Sequence, residues 1–66
     1  MRYYEKVKIQ EIIESINYMQ KMKIDKYVIL NKLDSMIERL RVNASNDFIN
    51  YLFDIRQKIV LDKEIK

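Results

Sequence analysis

Glycine, proline, cysteine and histidine are all absent from this chain. Without glycine and proline the two strongest loop markers are missing, so element boundaries have to be read from capping residues and from hydrophobic phase. The absence of cysteine excludes disulfides, and the absence of histidine as well removes the usual zinc ligands, the commonest acid-base group and the thiolate nucleophile. Long apolar runs are lacking too. The longest, Tyr27-Val28-Ile29-Leu30, is far short of the roughly 18 to 20 residues that span a bilayer, and Met1-Arg2-Tyr3-Tyr4-Glu5-Lys6 opens no secretory signal. The expectation is a cytoplasmic protein with no cofactor, no metal, no membrane association and no small-molecule substrate. In that setting Asn43-Ala44-Ser45 is a turn and not a glycosylation acceptor.

What is present is large aliphatics and charge. A content of 48% hydrophobic and 35% charged residues belongs to a globular domain and not to a disordered tail. With 66 residues the chain forms one domain, and a chain of this size buries only about 60% of the surface that it exposes when unfolded. Disulfides and histidine-based zinc sites being excluded, self-association is the remaining aid to a thin core, and a homodimer is expected. The net charge of +3 is mildly basic, which suits solubility and weak attraction to polyanions without marking a dedicated nucleic-acid module.

Apolar residues recur at three and four, which predicts an all-α protein of three amphipathic helices, at about residues 3–22, 26–42 and 46–63. Ile9, Ile12, Ile16 and Met19 form the first stripe, and Leu30, Leu33, Ile37 and Leu40 the second. Phe48, Leu52, Ile55 and Ile59 form the third, beside a second apolar row of Ile49, Phe53 and Val60. The arrangement expected is a small antiparallel bundle or a hairpin built on one long helix. The phase of the first two stripes runs on without interruption, but one continuous helix would put Lys23 and Lys26 at successive seam positions. Asp25 as an N-cap, Ile24 with Ile29 as a hydrophobic staple, and Lys21 and Lys23 at a helix C-terminus argue for a break. At the second boundary Arg39 and Arg41 complement a helix end, Asn43 suits the left-handed position after it, and Ser45 suits the N-cap of the third helix, with Asp47 in its first turn.

The carboxylate pairs Glu11 with Glu14 and Asp34 with Glu38 each share one side of a helix. Neither is joined by the Glu-x-x-His motifs of a di-metal bundle, and both read as solvated faces of a protein that is not an enzyme. Leu33-Asp34 followed by Ile37 resembles the Leu-Asp pair in the helical-hairpin aspartyl-phosphate phosphatases of sporulation control. The Ser-Gln-Glu that precedes the pair in that family is replaced here by Leu30-Asn31-Lys32, so the activity is not carried over.

Two binding classes remain. In the first, Ile24, Tyr27, Val28, Ile49, Phe53 and Val60 form an apolar surface for a partner protein, with Lys23 and Lys26 at its rim. This is the reading favoured, as a stoichiometric inhibitor, antirepressor or adaptor. In the second, Lys21, Lys23, Lys26 and Lys32 neutralise phosphates of DNA or RNA, with Tyr18 and Tyr27 near enough in sequence to stack on bases.

Overall fold

The structure is a computed structural model and describes residues 1–65. Every regular element among them is helical: α1 spans Tyr3–Lys21, α2 Lys26–Leu40 and α3 Asn46–Val60, with a 3₁₀ turn at Arg41–Asn43 between the last two. The three helices pack against one another in a body of 31 × 18 × 16 Å, with the fullest contact between α2 and α3. The core is made where the apolar stripes meet. Ile12 and Ile16 of α1, Ile29 and Leu33 of α2, and Phe48, Leu52, Ile55 and Ile59 of α3 are essentially sealed from solvent. Leu40, expected in the second stripe, is only partly buried at its edge.

The chain breaks between α1 and α2, so the single long helix is not formed. Asp25 is the N-cap of α2 and accepts the Tyr27 N–H at 2.8 Å, satisfying one of the donors that a helix start leaves open. On the other side of the break α1 ends in a Schellman motif. Lys23 stands at φ 59°, its N–H donates to the Gln20 carbonyl, and the Ile24 N–H donates to the Met19 carbonyl, each at 3.0 Å. This is the 5→2 and 6→1 pattern usually built with glycine, here made by a lysine.

Three details of the expected boundaries are corrected. The third helix stops at Val60 instead of running to 63, because Asp62 takes a left-handed conformation at φ 57°. The Lys63 N–H then returns to the Lys58 carbonyl at 2.8 Å, a second Schellman closure, and the following Ile65 folds onto the core. Asn43 is not left-handed. Residues Arg41–Asn43 tighten into the 3₁₀ turn, and the Asn43 carbonyl accepts from Arg2 Nη1 at 2.9 Å. Ser45 does occupy the N-cap position of α3, but its side chain makes no cap hydrogen bond. That hydroxyl donates instead to Glu5 Oε1 at 2.6 Å.

Candidate functional site

The candidate residues lie on all three helices and on the connector between α1 and α2, and the packing distributes them. Lys26 is drawn inward at the start of α2, where its ammonium donates to the Val60 carbonyl at 3.2 Å and pairs with Asp62 at 3.2 Å. Further along the same seam Arg56 of α3 grips Asp34 of α2 with two bonds, Nε to Oδ1 at 2.7 Å and Nη2 to Oδ2 at 3.3 Å. The bidentate geometry fixes the relative register of the two helices, and the carboxylate raises the Arg56 pKa above its ordinary value.

These contacts show where the apolar candidates lie. Phe53, Arg56 and Val60 follow one another at three and four, so at about 100° per residue they form one row of α3, which Ile49 begins one turn earlier. Tyr27 lies on the row of α2 that contains Asp34. The Asp34–Arg56 pair therefore joins the two rows, and Tyr27, Phe53 and Val60 flank the α2–α3 seam. All three are exposed, Tyr27 to 68% and Phe53 to 46%, while Ile49 packs partly against the core. Val28 is exposed as well but falls on a different row, with Lys32, Ser35 and Arg39. Those three border a furrow between α1 and α2 together with Ser15 and Met19. Ile24 is exposed in the connector. The set thus divides into a seam group of Tyr27, Phe53 and Val60 and a separate position at Val28.

The lysines divide similarly. Lys21 closes α1 and Lys23 follows it in the Schellman turn, both exposed, whereas Lys32 borders the α1–α2 furrow and Lys26 is held by Val60 and Asp62. Of the acidic pairs, Glu14 accepts from Gln10 at 3.2 Å and Asp34 is taken up by Arg56. Among the described residues no group of three or more side chains is placed to hold a metal ion, and no described helix is long and apolar enough to cross a membrane.

The most elaborate polar arrangement carries no signal in the sequence pattern. Glu5, in the first turn of α1, is fully buried. Its Oε1 accepts from the Arg2 N–H at 2.9 Å and from the Ser45 hydroxyl, and its Oε2 accepts from the Ser45 N–H at 3.0 Å. Burial alone would raise its pKa, but the Ser45 and Arg2 donors outweigh that and hold it below the usual carboxylate range. A glutamate three residues after a helix N-cap is half of a capping box. Here Arg2 stands where serine or threonine would make the pattern visible, and the partner Ser45 is distant in sequence. The N-terminal ammonium pairs with Asp47 at 3.0 Å on the same end of the molecule and lowers the pKa of that carboxyl.

Comparison with family models, curated proteins and solved structures yields no match to this chain.

Proposed function

We propose that this is a small non-enzymatic regulatory protein that acts in the cytoplasm by stoichiometric protein–protein binding, as an inhibitor, antirepressor or adaptor. The observation that carries the reading is the exposure of Tyr27, Phe53 and Val60 along one seam, although α2 and α3 each already bury an apolar stripe in the core. Aromatic and aliphatic side chains aligned beside a fixed ion pair supply apolar anchors and a polar register, as helical recognition surfaces do. In this reading α2 and α3 run antiparallel, the seam is the contact surface, and a second copy of the chain covers it in the absence of another partner. Lys23 lies toward the rim, where charge steers encounter more than it adds affinity.

Sedimentation velocity on the wild type and on Phe53→Asp/Val60→Asp, each with a circular dichroism melt, tests this directly. Loss of association with helicity retained is the expected result; association unchanged in the folded variant rejects the seam.

A second reading as a DNA- or RNA-binding regulator draws on one observation: none of the ion pairs among the described residues involves Lys21, Lys23 or Lys32. Phosphate contacts make affinity fall steeply with salt, whereas an apolar interface responds weakly. Fluorescence anisotropy with labelled duplex and single-stranded DNA at low and near-physiological salt separates the two classes. Binding that is salt-sensitive and lost in Lys21→Glu/Lys23→Glu favours nucleic acid.

A further inference from the structure

A furrow of adjoining hollows follows the α1–α2 side of the bundle and reaches, at one end, the connector before α3 and Phe48. It is made of three adjoining hollows of about 370, 270 and 360 Å³. The first and middle hollows share Met36 and Arg39, and the middle and last share Lys8, Arg39 and Leu40, so Arg39 borders all three. The lining reaches from Tyr4 to Met19 on α1, about four helical turns or roughly 22 Å at 1.5 Å per residue. Met19, Met36 and Leu40 supply apolar surface along its length, with Met19 buried and the other two partly so, and Val42, Ala44 and Phe48 add to it in the last hollow.

The charge around this furrow is predominantly basic. Lys8, Lys32 and Arg39 border it, and none of them takes part in an ion pair among the described residues. Among the described residues the only carboxylate in its lining is Glu5, whose oxygens are already engaged by Arg2 and Ser45. Nearby, Glu38 points its carboxylate to Arg41 at 3.8 Å. Glu11 stands between Lys8 and Ser15 on the α1 row that edges the furrow; it does not line the hollows and offsets one of the three cations, so the rim stays net basic.

We propose that the α1–α2 furrow binds an acidic amphipathic helix of a partner protein, which lies in the position of a fourth helix of the bundle. Three observations select this occupant. The length matches a helix of about four turns. The apolar surface contains two methionines, whose unbranched side chains adapt to the knobs of an incoming helix. The three cations along the net basic rim call for carboxylates flanking the apolar row of that helix, which would pair with them on docking. A nucleic-acid backbone would satisfy the cations, but it has nothing to place against Met19, Met36 and Leu40. This surface is distinct from the seam of Tyr27, Phe53 and Val60, and the inference stands whether or not that seam self-associates.

The test uses the full chain and a fluorescein-labelled peptide of about four turns, with leucines at alternating three and four spacing and glutamates on both flanks. Its twin carries lysines in place of the glutamates, and a labelled DNA duplex serves as a third probe. Anisotropy at near-physiological salt is expected to show saturable binding of the glutamate peptide only, weakened about tenfold or more in Lys8→Glu/Arg39→Glu and unaffected by Phe53→Asp/Val60→Asp. If the charge-reversed protein fails to fold by circular dichroism, Lys32→Gln/Arg39→Gln takes its place, with a smaller loss expected. Amide chemical-shift changes should gather at Ser15, Met19, Lys32 and Met36. The proposal is overturned by no binding of the glutamate peptide, by equal binding of the lysine twin, by tighter binding of the duplex, or by shift changes centred on Tyr27 and Phe53.

Discussion

Glu5 illustrates how much of this structure depends on single polar contacts. A buried carboxylate is expensive unless its lone pairs are filled, and here three donors, one from Arg2 and two from the distant Ser45, fill them. The contact ties the first turn of α1 to the connector that precedes α3, doing in part what a disulfide does in other small domains. Because the folded pKa lies below the unfolded value, the unfolded chain binds the proton more readily. The stabilisation is therefore complete above the ordinary glutamate pKa of about 4.3 and is lost as pH falls through that value toward the folded pKa. Thermal midpoints measured between neutral and strongly acidic pH should decline over that window. Glu5→Gln should lower the neutral-pH midpoint and flatten the acid decline without abolishing it, because Asp47 beside the N-terminal ammonium is shifted in the same direction. An acid limb as steep in Glu5→Gln as in the wild type would remove Glu5 from the linkage. None of this was legible in the sequence, since Arg2-Tyr3-Tyr4-Glu5 lacks the serine or threonine of a capping box and nothing local points to Ser45.

At the scale of the elements, the helices were readable and their ends only partly so. The hydrophobic rows mark the helical segments but run on in phase from α1 into α2, and it is Asp25 together with the unfavourable seam lysines that marks the first break. The end of α1 is legible to within a residue, with Lys23 at a helix C-terminus; what was hidden is that Lys23 and Asp62 turn left-handed, and with it the end of α3, because both Schellman turns use residues other than glycine, the usual marker of such a position. A left-handed L-residue costs roughly 1–2 kcal/mol, whereas glycine adds about 0.5–1 kcal/mol of conformational entropy to be lost on folding. Lys23→Gly should therefore stabilise the protein by about 0.5–1 kcal/mol, read as a higher urea midpoint at unchanged slope. Asp62→Gly should gain less, because it also removes the carboxylate that receives Lys26. A lower midpoint in Lys23→Gly would mean that the lysine side chain contributes more than its backbone conformation costs. The same hidden turn explains why α3 ends at Val60: a residue able to reverse the chain need not announce itself in a glycine-free sequence.

At the scale of the whole molecule, the separation of core from surface was legible along each helix but the neighbours of each face were not. Periodicity put Leu52 in the main stripe of α3 and Phe53 in the second row, and the packing agrees, with Leu52 sealed and Phe53 nearly half exposed. It did not reveal that Tyr27 and Val28, adjacent in sequence and about 100° apart on α2, divide between the row beside α3 and the exposed row of Lys32, Ser35 and Arg39. That assignment depends on contacts such as Arg56 with Asp34, which join residues from two helices that share no local pattern. The neighbours Leu52 and Phe53 provide the corresponding test. Leu52→Ala removes fully buried methyl groups from a thin core and should cost about 2–5 kcal/mol, a large part of the stability available to a chain of this size, so its melt should shift strongly downward or lose cooperativity. Phe53→Asp changes a partly exposed position and should cost under about 1 kcal/mol while weakening self-association in sedimentation velocity. If the two substitutions are equally destabilising, Phe53 belongs to the core and the seam is not a free surface. If Phe53→Asp neither destabilises nor alters association, the aromatic row along α3 contributes to neither, and the α1–α2 furrow becomes the principal binding surface of the molecule.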